Sequence, residues 1–235
     1  MIGDADLSKP AALIAEPARA SMLRALLDGS ERPASELARV AGVSASTASE
    51  HLARLAAGGL VDDRRCGRHR YFRLRDAHVA AALESLAHIA PTQPTRSLRT
   101  ARTGRALAYA RTCYDHTAGR LGVVIADALV ARGTIAPLVS GQAGRIVRRD
   151  DPLLSTLGFD AEVRTRRPDV RGCLDWTQRR PHVAGRLGQA TLDYLERNAL
   201  VVRARGDRSL RISDAARTRV CELFEVDAAR LDPAA

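Results

Sequence analysis

Apolar residues recur at helical spacing over residues 10–28, with Leu13, Ile14, Leu23, Leu26 and Leu27 on one side and Asp28-Gly29 closing the segment. A short second helix is predicted next, capped at Ser35 and carrying Leu37 and Val40. Ala41-Gly42-Val43-Ser44 reads as a tight inter-helix turn, because Gly42 accepts positive φ, and Ser44 is a good N-cap for a third helix over 45–57. On that helix Ala48, Leu52 and Leu55 fall at i, i+4, i+7 and face inward, leaving Ser46, Thr47, Ser49, Glu50 and Arg54 outward or along the rim. The period then changes. Gly58-Gly59 ends the helix, residues 60–65 read as a strand, Cys66-Gly67-Arg68 as a turn, and 69–74 as the returning strand. After Asp76, apolar Leu83, Leu86 and Ile89 at i, i+3, i+6 predict a further helix, and Pro91 and Pro94 break the pattern into a linker over 91–103.

Short hydroxyl side chains over the first turns of the third helix, with an arginine further along, suit a helix laid N-terminus first into a major groove. A water-facing helix would look the same; the hairpin after it discriminates. It concentrates Arg64, Arg65, Arg68, His69 and Arg70 around one tip, a surface suited to sugar-phosphate or the minor groove. The DNA-contacting set is therefore expected to be Ser44, Ser46, Thr47, Ser49, Glu50, His51 and Arg54 from the helix, with those five hairpin residues. Charge agrees: the 235-residue chain carries a net +10, and all its basic residues except Lys9 are arginine. This favours a polyanionic partner, and double-stranded DNA over a membrane surface, since no basic amphipathic anchor with large apolar residues is present. The N-terminal residues lack the basic start and apolar core of a signal peptide, and Cys66, Cys113, Cys173 and Cys221 are too few and too spread for a disulfide scaffold. A cytoplasmic location is the expectation.

Glu36-Leu37-Ala38, the run Gly42-Val43-Ser44 through Ser46-Thr47, Ser49, His51-Leu52 and Leu55, then Gly59-Leu60-Val61 and Gly67-Arg68 with Arg70-Tyr71 and Arg73-Leu74, together resemble ArsR-type winged-helix repressors. The resemblance spans roughly residues 10–90. It implies a homodimer in which the first helix and the helix after the wing pack across a two-fold, and DNA binding that an inducer weakens. The metal sites of that family transfer poorly. Its cysteine motif would fall at Glu36-Leu37-Ala38-Arg39-Val40-Ala41, where no cysteine occurs. Its dimer-helix site resembles Asp76 and His78, with His88 as a further candidate ligand, but His88 falls about 80° off a shared helical face and Pro91 stands where the family has a glutamate, so a helix cap and an interface histidine are the simpler reading.

Residues 104–235 lie outside the resemblance and contain an internal repeat. His116-Thr117-Ala118-Gly119-Arg120-Leu121-Gly122 recurs as His182-Val183-Ala184-Gly185-Arg186-Leu187-Gly188, and Cys113-Tyr114-Asp115 is answered by Cys173-Leu174-Asp175. Each copy is predicted as a helix, two short extended pieces and a closing helix, a helix-hairpin-helix-like unit, the two packed about a pseudo-two-fold. The Arg-Leu-Gly elements are expected mid-helix, as packing features.

Cys113 and His116 would be i, i+3 neighbours on a helix, and symmetric pairing would bring Cys173 and His182 to them. Two thiolates and two imidazoles make a tetrahedral set for zinc, and two cysteines alone serve a softer thiophilic metal or a thiol switch. Two other readings stay open: buried scaffold cysteines with Asp115 and Asp175 capping helices, and a small organic effector between the copies near Trp176 and Tyr114. No glycine-rich phosphate loop or nucleophile elbow is present, so an enzyme is not expected. The whole reads as mainly α with small β-hairpins: a winged helix-turn-helix reader and dimerisation domain over 1–90, the linker, and a duplicated effector-sensing or structural domain over 104–235. The expected function is an effector-released repressor on a palindromic operator; the alternative is a constitutive architectural DNA-binding protein whose C-terminal domain only oligomerises.

Overall fold

Pro17 divides the first predicted helix in two. Its ring cannot continue the preceding turn, so α1 (Ser8–Ile14) stops and α2 (Pro17–Ala25) starts with proline in its first turn. Glu16 caps the new helix, its Oε2 accepting from Arg19 N at 2.9 Å. The computed structural model describes residues 4–67, 69–91, 98–163, 165–205 and 207–233. Contacts divide the chain into two units, Met1–Leu83 and Glu84–Ala235.

In the first unit a two-residue strand, β1 (Arg32–Pro33), leads into α3 (Ala34–Ala41). The helix begins one residue before Ser35, with Pro33 at the cap position and no side-chain cap, so Ser35 does not have the capping role expected of it. Gly42 closes α3 at φ +68°, the left-handed conformation the turn requires. Ser44 then caps α4 (Ala45–Ala57) by accepting from Thr47 N at 3.2 Å, a contact worth about 1 kcal/mol. Met22, Leu23, Leu26, Leu37, Ala48, Leu52 and Leu55 are wholly buried and join these helices in one core. The hairpin pairs β2 (Val61–Cys66) with β3 (His69–Leu74) from Val61↔Leu74 to Cys66↔His69, and β1 extends it through Arg32↔Phe72. Alternation buries Phe72 and Leu74 and exposes Arg73. Asp76 caps the following helix, α5 (Ala77–Ile89), its Oδ1 accepting from His78 N and Val79 N. The division between units falls inside α5, earlier than the break expected at Pro91. Residues 92–97 of the predicted linker lie outside the described residues, and its last residues are already helical in α6 (Leu98–Tyr109).

The second unit holds the repeat, built around hairpins that sequence reasoning had taken for helix. The first copy starts with β4 (Arg111–Cys113) and β5 (His116–Ala118), followed by α7 (Gly119–Ala131), the short β6 (Ala143–Gly144) and α8 (Pro152–Thr156). The second runs through β7 (Val170–Leu174), β8 (Pro181–Ala184), α9 (Gly185–Arg197), β9 (Val202–Arg203), β10 (Leu210–Arg211) and α10 (Asp214–Phe224). The Gly-Arg-Leu-Gly elements open α7 and α9 and do not lie mid-helix.

The copies exchange strands. β6 of the first pairs with β7 of the second, while Ser209 of the second bridges to Arg111 of the first and Leu210 N donates to Ala110 O at 2.8 Å. One core unites both, including Leu121, Leu129, Val170, Leu187, Leu195 and Phe224. Each such fully buried side chain contributes about 1.5–3 kcal/mol against exposure.

Candidate functional site

On α4, Ser44, Ser46, Ser49, Glu50 and Arg54 are exposed and Thr47 is half-buried. The hydroxyls are already organised: Ser44 Oγ lies 2.9 Å from both Ser46 Oγ and Thr47 Oγ1, and Ser49 Oγ donates to Ala45 O at 3.0 Å. His51 departs from the set. It is half-buried, with Nε2 3.6 Å from Glu16 Oε2 and Nδ1 3.5 Å from Arg19 Nη1, so it ties α4 to α2 and leaves the exposed face to its neighbours. In the hairpin Arg64, Arg65, His69 and Arg70 are exposed, and Arg68 lies outside the described residues. Two of these arginines are held by carboxylates: Arg64 Nη2 donates to Glu31 Oε2 at 2.7 Å, and Arg70 pairs with Asp63 through Nε at 2.6 Å and Nη2 at 2.8 Å. Those hydrogen bonds lower the Glu31 and Asp63 carboxyls below their ordinary values. Such exposed pairs are weak enough for phosphate to displace.

The second cluster is buried except for Cys173, which is half-buried. Cys113 pairs with His116 across the β4–β5 hairpin, and Cys173 with His182 across β7–β8. Directly opposed residues project from one face of a hairpin, so each hairpin presents a thiol and an imidazole together. The two hairpins meet: Cys113 Sγ lies 3.8 Å from Cys173 Sγ, and His116 Nε2 lies 3.1 Å from His182 Nε2. One ligand atom from each of the four residues falls within 4.8 Å of all the others. The expected neighbours are thus brought together by hairpin pairing and not by i, i+3 spacing on a helix. Gly122 and Gly188 make room. A Cβ on Gly188 would sit 3.1 Å from His116 Cβ and one on Gly122 3.5 Å from His182 Cβ, so each copy's helix clamps the other copy's imidazole.

A carboxylate backs each histidine. Asp115 Oδ1 is 3.3 Å from His116 Nδ1, and Asp175 Oδ2 is 3.7 Å from His182 Nδ1, too long for a hydrogen bond. Arg167 holds Asp115 through Nη1 at 2.5 Å and Nη2 at 2.9 Å. Asp175 is wholly buried against the equally buried Arg111, whose Nη2 donates to Oδ2 at 2.9 Å, and it accepts from Gly119 N at 2.6 Å at the start of the other copy's helix.

Burial would raise both carboxyls. His116 and Arg167 outweigh it and hold Asp115 at about 2, while Arg111, Thr177 and His182 hold Asp175 well below the carboxylate range. The hydrogen bond to Cys173 and burial push the Cys113 thiol far up. Burial lowers His182, whereas His116 is pushed up to about 9 because Cys113 and Asp115 outweigh its own burial.

The cavity between the copies, lined by Thr117, Gly122, Ile125, Val183, Gly188 and Thr191, is about 10 Å³. That is room for about one water. Sequence reasoning missed Arg111. Its signal was the arginine two residues before the cysteine in both copies, Arg111 and Arg171, although only Arg111 is fully buried. No helix among the described residues is long and apolar enough to cross a membrane.

The family model for a helix-turn-helix domain matches residues 14–64. An uncharacterized HTH-type transcriptional regulator of Bacillus subtilis (strain 168), YdfF, is 37% identical over 210 residues, covering 88% of this chain and 92% of its own. That span is longer than either unit, so the likeness takes in the repeat as well as the reader. Among solved structures, HlyU from Vibrio cholerae N16961 is 30% identical, covering 35% of this chain and 88% of its own at a TM-score of 0.33. The cadmium metal-sensor CMTR from Mycobacterium tuberculosis is 35% identical, covering 40% and 100%, at a TM-score of 0.31. With its helix-turn-helix followed by a wing, and a relative matched across nearly its whole length, the chain belongs to the HTH-type transcriptional regulators.

Proposed function

We propose that this chain is a repressor that binds a near-palindromic operator as a homodimer and releases it when an effector occupies the C-terminal unit. One observation carries the reading: the exposed polar face of α4, with Ser46, Ser49, Glu50 and Arg54, is followed directly by an exposed basic hairpin with Arg64, Arg65, His69 and Arg70. A groove-inserted helix and a phosphate-touching wing require those two surfaces. Two copies would place two such helices in successive major grooves about one helical turn apart. The dimer seam is supported by Leu86 and Ile89 on α5, 42% and 80% exposed, apolar surface that a second copy would cover. Residues 1–90 act as reader and dimerisation domain, 91–103 as connection, and 104–235 as the responsive domain. Its effector is a metal ion, zinc or a softer thiophilic one, entering at Cys113, His116, Cys173 and His182.

The test is selection of bound duplexes from a random pool, followed by titration of the selected site with and without added metal. The reading expects a two-fold-related consensus, saturable binding in competition with bulk DNA, and weaker binding once metal is present. Uniform affinity for all duplexes, indifferent to metal, would instead describe an architectural DNA-binding protein.

A further inference from the structure

We propose that Cys113 Sγ, Cys173 Sγ, His116 Nε2 and His182 Nε2 form a closed tetrahedral site for one divalent ion of the zinc class, with Asp115 and Asp175 as its outer shell. This rests on the metal-effector reading and narrows it to one chemistry. Zinc–sulfur and zinc–nitrogen bonds of ordinary length at tetrahedral angles put the two sulfurs about 3.8 Å apart and the two nitrogens about 3.3 Å apart. The observed edges are 3.8 Å and 3.1 Å. The widest separation in the set is within 4.8 Å, so closing the shell takes side-chain shifts on the order of an ångström. A soft monovalent ion needs only the sulfurs; convergence of both imidazoles on the same point selects the S2N2 set that zinc prefers.

The surroundings agree. The protein supplies all four positions and Cys113, His116 and His182 are buried, which is the form of a structural or regulatory site and leaves no open position for a substrate. Each imidazole would bind through Nε2; Nδ1 of His116 lies in hydrogen-bond reach of Asp115, the arrangement that fixes the tautomer and ring of a metal-bound histidine, and the buried, unpartnered Nδ1 of His182 lies 3.7 Å from Asp175. Charge balances as well. Binding sends the two thiol protons and the proton shared between the two Nε2 atoms to solvent, so two thiolates neutralise the dication, and each outer carboxylate already has its own arginine, Arg167 or Arg111.

The experiment titrates the reduced full-length chain with Co2+ and then Zn2+. Expected are one Co2+ per chain, intense visible absorption of tetrahedral cobalt, a near-ultraviolet thiolate-to-cobalt band, and loss of both on adding one equivalent of Zn2+. C113S/C173S should lose the thiolate band. Asp115→Asn should keep the spectrum and bind zinc about 10- to 100-fold more weakly. In the unaltered chain zinc should shield Cys113 and Cys173, but not the exposed Cys66, from alkylation, a readout that stands even if the serine variant fails to fold. No stoichiometric uptake, a weak octahedral spectrum, a thiolate band that survives C113S/C173S, or absence of shielding would overturn the site. Unchanged zinc affinity in D115N would overturn the outer shell. DNA affinity is measured separately: metal bound without any change in DNA binding leaves the site intact and removes the effector reading, whereas operator binding without metal uptake removes the site and the metal effector and leaves the operator reading standing.

Discussion

His88 Nε2 lies 3.0 Å from the carbonyl oxygen of Leu174, the residue that follows Cys173 in β7. The end of α5 thus bonds to the backbone of one hairpin of the cluster. A second link serves the other hairpin: Glu84 on α5 pairs with Arg208, and the backbone oxygen of Arg208 accepts from Thr112 N at 2.9 Å, next to Cys113. Both links attach one face of α5 to the strands that hold the four Cys and His side chains.

Replacing His88 with alanine should therefore weaken the coupling between metal and DNA without touching the metal itself. The expected result is an unchanged cobalt spectrum, with the metal-dependent change in DNA affinity reduced by about fivefold, about 1 kcal/mol of coupling. Paired titrations of DNA at zero and saturating zinc measure it. An undiminished metal response would show that α5 does not transmit through this bond.

On the DNA side, Arg65→Ala should lower affinity for all duplexes and reduce the slope of log affinity against log salt by about 0.9 if one phosphate contact is lost. Ser46→Ala should instead change the ranking of duplexes at nearly constant slope. Fluorescence anisotropy across a salt series separates the two. An unaltered slope for the arginine variant would remove β2 from the phosphate contacts.

Leu86 and Ile89 are exposed, so L86E/I89E should leave the fold intact while breaking the seam between copies. Sedimentation equilibrium should report a monomer, with operator affinity falling at least tenfold as two half-sites become one. A dimer that persists would mean that another surface joins the copies.

Arg111→Met should be far more damaging than its conservative volume suggests. It leaves the Asp175 carboxylate buried without its guanidinium, a loss of about 3–5 kcal/mol, and it also removes the stacking of Arg111 over Trp176 at 5.0 Å. Chemical denaturation of R111M and of R111M/D175N measures it. The double variant should recover more than half of the loss, because no unpaired charge remains.

The first unit was largely legible because its signals are local. Gly42, Ser44 and the change from helical to alternating period after Gly58 each specify a turn, a cap or a strand with neighbouring residues alone. The split at Pro17 was legible too, but the apolar spacing on either side of it hid the break. The second unit was legible as a repeat and not as hairpins. β4 and β5 are three residues each and buried at every position, so no alternation of polar and apolar residues marks them. The tight turn between them runs through Tyr114 at φ +59°, without the glycine that would announce it. The contacts of His51 were hidden for a different reason. Its partners Glu16 and Arg19 are more than thirty residues away, and nothing in the helical spacing of α4 reveals them.

The strand exchange between the copies fixes how the Cys and His cluster responds to dilution. A site shared by separate subunits falls apart as the protein becomes scarce, since its halves must find each other. Here Cys113 and His116 meet Cys173 and His182 within one covalent chain, and each hairpin is completed by a strand or bridge from the other copy. Encounter is unimolecular, and the local concentration of one ligand pair about the other is set by chain geometry. The ion threshold of such a site is the same in a cell holding few copies as in one holding many.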